Sequence, residues 1–81
     1  MKKIIITDIA NLPNYFKCDH ETIRVNIDTF TCVSLGTRNE YDIMTYGIDS
    51  LMYYRGSEVE PITKEEFEAE LNKAFQEILN A

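Results

Sequence analysis

A chain of 81 residues, 44% hydrophobic, with three glycines and two prolines, is the composition of one small folded domain over residues 1–81 and excludes a disordered or collagen-like chain. Its apolar runs, Ile4-Ile5-Ile6 among them, are far too short for a membrane-spanning helix. The net charge of −6, with no cluster of Lys or Arg, argues against direct contact with nucleic-acid phosphates.

The charge is unevenly placed. Residues 1–57 carry six Lys/Arg against seven Asp/Glu, whereas residues 58–81 carry two against seven. Met1-Lys2-Lys3 has the charge that opens an export signal, but Thr7 and Asp8 interrupt the apolar region at once. A cytoplasmic location is therefore expected, with Cys18 and Cys32 as free thiols in a reducing compartment.

In chain order, residues 2–9 read as a first strand. Three consecutive isoleucines put apolar groups on both faces, because neighbouring strand side chains point opposite ways, and such a strand belongs in the middle of a sheet. Asp8 to Phe16 lose periodicity. Asn11, Pro13 and Asn14 mark a loop or a single helical turn, which Leu12, Tyr15 and Phe16 hold against the sheet. Residues 22–28 alternate, with Ile23, Val25 and Ile27 on one face and Arg24, Asn26 and Asp28 on the other. Residues 30–35 form the next strand. A two-residue turn at Asp28-Thr29 would pair Ile27 with Phe30 and Val25 with Cys32, while one bent strand from Thr22 to Leu35 is the rival arrangement. Gly36-Thr37-Arg38-Asn39 is a turn. Residues 41–48 and 51–55 supply two further strands, broken at Asp49-Ser50, with Gly47 at a bulge.

The strongest local signal comes last. Thr63 and Glu66 form the pattern of a capping box, and Ile62 and Phe67 flank it as a hydrophobic staple. A helix over residues 63–80 follows, with Phe67, Leu71, Ala74, Phe75 and Ile78 in one apolar stripe. The expected architecture is α+β: an antiparallel meander of four or five strands packed against this C-terminal helix.

Chemistry-bearing patterns are sparse. Cys18, His20 and Cys32 are the soft-ligand types, but a structural zinc site needs four ligands at tighter spacings, so no metal is expected. Cys18 and His20 as nucleophile and base lack an orienting group and an oxyanion site. Gly36, Gly47 and Gly56 stand apart and build no phosphate loop, and no cofactor is implied. An enzyme is not expected. Glu65, Glu66, Glu68 and Glu70 form an acidic face in the first turns of the helix, where the positive end of the helix dipole favours them.

The tyrosines are the most suggestive feature. Tyr41, Tyr46, Tyr53 and Tyr54 fall in the last two expected strands, with Arg55 beside them, and interfaces favour both residue types. The leading expectation is a small non-enzymatic protein–protein interaction module that meets a partner protein or a second copy through the sheet face opposite the helix. One alternative is an acidic nucleic-acid mimic that blocks a basic protein. A second is single-stranded nucleic-acid binding through the tyrosine-bearing strands, against which the absent basic groove counts.

Overall fold

Alternation in residues 22–35 builds the centre of a six-stranded antiparallel sheet in the computed structural model, which describes residues 3–80 apart from the Ile9 side chain. Lys2, the expected start of the first strand, and Ala81 lie outside the described residues. The strands are β1 (Ile4–Ile5), β2 (Tyr15–Cys18), β3 (Glu21–Val25), β4 (Thr29–Leu35), β5 (Tyr41–Gly47) and β6 (Glu58–Pro61), followed by helix α1 (Lys64–Leu79). Two 3₁₀ segments, Ile9–Asn11 and Ile48–Tyr54, join them. The spatial order is β1-β6-β2-β3-β4-β5, so β2 to β5 run as a meander and β6 inserts between β1 and β2. The class is α+β as the sequence implied, with six strands in place of four or five.

The differences from expectation have local causes. The first strand is short and lies at the sheet edge, paired with β6 alone, instead of at the centre. Thr7 and Asp8 end it, Ile6 turns inward, and Ile5 stays 61% exposed. The connection after it does contain one helical turn, but Tyr15–Cys18 then forms a strand where irregular chain was expected. Asp19, at φ 52°, closes the tight turn from β2 to β3, a conformation that aspartate tolerates. Between β3 and β4 the hairpin tip is Ile27-Asp28, one residue earlier than expected. The Asn26 N–H donates to the Thr29 carbonyl at 2.8 Å, and Val25 pairs with Phe30 and Ile23 with Cys32. Side-chain parity is kept, but Ile27 is left at the tip, 92% exposed. Gly47 is no bulge; it is the regular partner of Thr29.

Residues 51–55 are the clearest correction, because they are not a strand. Ile48, Leu51 and Tyr54 recur every third residue, the period of a 3₁₀ helix, and this puts all three on one side. That side packs on the sheet. Gly56, at φ 84°, makes the sharp exit, and its N–H donates to the Ile6 carbonyl at 2.8 Å. The chain then returns as β6, which the polar Glu58-Val59-Glu60-Pro61 sequence did not announce.

The sheet has two covered faces. On one, Phe16, Ile23, Phe30, Cys32 and Val59 meet Leu51 and Tyr54 of the second 3₁₀ segment. On the other, Val33 and Tyr41 meet Phe67 and Ala74 of α1, with Tyr15, Ile43, Ile62 and Leu71 around them. This helix-facing side also carries Arg24. Its guanidinium lies 5.2 Å from the centre of the Phe67 ring, a cation–π contact. The capping box forms as the sequence specifies: the Thr63 hydroxyl accepts from the Glu66 N–H at 3.1 Å, and Glu66 Oε1 accepts from the Thr63 N–H at 3.1 Å. The stripe is only half used. Phe67 and Ala74 are buried and Leu71 partly so, but Phe75 and Ile78 remain 48% and 44% exposed. The last turns reach the outer edge at β5, beside Tyr41, with no further strand beneath them.

Two substitutions measure this docking. Thr63→Ala should cost about 1 kcal/mol by loss of the cap. Phe67→Ala should cost about 3–5 kcal/mol, because it empties the fully buried ring position under the helix. Urea denaturation reads both, and a Phe67→Ala variant no less stable than a surface substitution would contradict the packing described.

Candidate recognition cleft

Antiparallel register sets which strand residues share a face, and the row Val25–Phe30–Tyr46 runs across β3, β4 and β5 on the side away from α1. The 3₁₀ segment crosses this face and covers part of it. Beside the covered part a cleft of about 510 Å³ remains open, lined by Glu21, Phe30, Tyr46, Ser50, Tyr53 and Tyr54. Phe30 and Tyr46 lie 5.3 Å apart between ring centres at 30°. Tyr54 stands nearly perpendicular to Phe30, at 6.3 Å and 79°, and to Tyr53, at 5.4 Å and 88°.

Glu21 is the polar centre of this wall. Its Oε1 accepts a hydrogen bond from the Tyr54 hydroxyl at 3.0 Å, and its Oε2 accepts one from the Cys32 thiol at 3.3 Å. These bonds tie the 3₁₀ segment, β3 and β4 together through one carboxylate. Burial, reinforced by the bond to Glu21, pushes the Cys32 thiol up to about 12. Burial also raises the Tyr54 phenol above its ordinary range, with the neighbouring Cys32 and Glu21 adding to it. Both groups therefore hold their protons at neutral pH and act as donors to Glu21.

The structure sorts the expected binding residues. Tyr46, Tyr53 and Tyr54 come together at the cleft. Tyr41 does not; it lies five residues before Tyr46, hence on the opposite face of β5, and is buried against the helix. Arg55 caps the 3₁₀ segment and is exposed outside the cleft lining. Tyr53 and Tyr54 reach their positions from a 3₁₀ turn, with Tyr54 4% exposed and Tyr53 83% exposed. Glu21, Phe30 and Ser50 are the lining residues that the tyrosine pattern missed. Parity could have found Glu21, which shares the apolar register of Ile23 and Val25.

The other expected features are dispersed. Of the acidic set, Glu66 is engaged in the helix cap, Glu70 is partly buried, and Glu65 and Glu68 face solvent. Cys18 and Cys32 are free thiols, and His20 is exposed in the turn between β2 and β3. Among the described residues no group of three or more His, Cys, Asp or Glu side chains converges as metal ligands, and no helix is long and apolar enough to cross a membrane. Comparison with family models, with curated proteins and with solved structures gave no match to this chain.

The buried thiol makes stability pH-dependent. Cys32 loses its proton near 9.0 when unfolded and near 12 when folded, so the folded state holds an extra proton between these values. Its contribution is intact below that window and declines as pH rises through it. One such proton gives a limiting slope of about 1.4 kcal/mol per pH unit. Urea titrations from neutral to strongly alkaline pH should show this decline, and Cys32→Ala should make it shallower; an unchanged slope in that variant would contradict the assignment.

Proposed function

We propose that this chain is a small, non-enzymatic, cytoplasmic protein-interaction module that engages a partner protein, or a second copy, through the face opposite α1. The observation that carries the reading is the open cleft between Tyr46 and Tyr53. Tyr53 is 83% exposed on a well-packed support, and Tyr46 is 41% exposed on the edge strand. Large aromatic rings held rigidly at a surface lose little conformational freedom on binding, which is why they serve as anchors. No cofactor enters this proposal. The acidic-mimic alternative draws on Glu65 and Glu68, whose neighbour Glu66 is occupied in the cap.

The two surfaces are separable by mutation. Tyr53→Ala should leave stability nearly unchanged and weaken partner binding or dimerisation by about 1–2 kcal/mol or more. The triple change Glu65→Gln, Glu68→Gln, Glu70→Gln should leave binding intact, since α1 lies on the opposite side of the sheet from the cleft. Size exclusion with light scattering and affinity capture, each run on wild type and variants, provide the readouts. A folded triple variant that has lost binding, with Tyr53→Ala still active, overturns the proposal in favour of the acidic face.

A further inference from the structure

We infer that the cleft receives the cationic side chain, guanidinium or ammonium, of a basic residue on the partner polypeptide. This rests on the interaction-module reading and adds to it the chemistry of the group that enters.

The walls favour a cation. Tyr46 and Tyr53, 41% and 83% exposed, flank the opening, with the nearly buried Phe30 packed against Tyr46 and the nearly buried Tyr54 against Tyr53. The faces of such rings are electron-rich, and a cation within about 6 Å of a ring centre is attracted to them. Glu21 supplies the matching charge. Each of its oxygens receives one donor, from Tyr54 or Cys32, and a carboxylate has about four lone-pair sites, so it retains capacity for a donor from an incoming group.

Nothing of the chain's own fills this role. None of the six lining residues is Lys or Arg, and among the described residues Glu21 has no ion-pair partner. The protein's net charge of −6 draws cations toward the surface in general. A neutral apolar side chain seated here would strip water from the carboxylate without offering a counter-charge, and an anion would be repelled by it. A basic side chain satisfies both the rings and the carboxylate.

The test uses the full ¹⁵N-labelled chain and short blocked peptides. Acetyl-Gly-Arg-Gly-amide is compared with its citrulline counterpart, which keeps the shape and removes the charge, and the lysine peptide is compared with its norleucine counterpart. The expected result is saturable shifts at Glu21, Tyr46 and Tyr53, with at least one charged peptide binding about tenfold tighter than its neutral counterpart. Glu21→Gln, which keeps an acceptor for the Tyr54 hydroxyl, should diminish that discrimination several-fold, leaving the part the rings supply. Tyr53→Leu should weaken the charged peptide several-fold, and Tyr53→Phe should restore it by returning the aromatic face. Equal binding of charged and neutral peptides, shifts confined to other surfaces, or undiminished discrimination in a folded Glu21→Gln variant overturns the inference. Tetramethylammonium chloride serves as the small-cation arm. If it saturates the cleft more tightly than either charged peptide, the site belongs to a free quaternary ammonium and the partner side chain is ruled out. Lost peptide discrimination with partner capture still dependent on Tyr53 defeats the cation inference alone, and the converse result defeats the interaction-module reading alone.

Discussion

A sheet that buries both faces needs two covers, and the one long helix can lie on only one of them. The fold depends on how residues 48–54 resolve this. They wind into a 3₁₀ segment whose every third residue points inward, and they cover the face that α1 leaves. The Tyr54 hydroxyl on Glu21 then ties that cover to the middle of the sheet. Without this cover Phe16, Ile23, Phe30 and Cys32, four side chains now at 0–2% exposure, would face water together.

The division of labour between the covers is unusual in its polarity. The long helix lies on the more mixed face, with Thr22, Arg24 and Thr31 among the residues beneath or beside it. Phe67 accommodates this by turning its ring toward the Arg24 guanidinium, whose terminal nitrogen also donates to the Thr31 hydroxyl at 3.4 Å. The Arg24 Nε has no acceptor, the one buried side-chain nitrogen or oxygen among the described residues left so. The short 3₁₀ segment takes the more apolar rows, with the Glu21 carboxylate at their margin. Because it is short, it covers them incompletely, and the aromatic cleft is what it leaves open.

What could be read from the sequence was local. Thr63, Glu66, Ile62 and Phe67 specify a helix start through contacts within a few residues, and that start is where it was expected. The strands over residues 22–35 and 41–47 follow from side-chain alternation and a strong turn at Gly36–Asn39. Strands β2 and β6 were not legible: β2 is four residues long and follows the loop signals at Pro13-Asn14, and β6, carrying Glu58 and Glu60, becomes a strand only by pairing with residues more than forty positions away. The spacing of Ile48, Leu51 and Tyr54 did carry the 3₁₀ period, but the β-rich composition around it reads more loudly. At the cleft, the tyrosines were visible as a cluster in the chain. That Tyr41 leaves them and Glu21 joins them follows from register, which composition cannot supply.

The late return of β6 has a consequence for how the protein is made. Ile4 pairs with Val59 and Phe16 with Pro61, so the N-terminal edge of the sheet closes only through contacts that span more than half the chain. The β2–β5 meander can zip from its own turns as it is synthesised, but β1 has no partner until residues 58–61 have emerged. Closing so long a loop precedes any reward from the contacts it makes, which slows folding relative to a sheet built of neighbours. During that interval the nascent chain shows Ile4, Ile5 and Ile6 without a strand to receive them, an apolar segment exposed until β6 arrives.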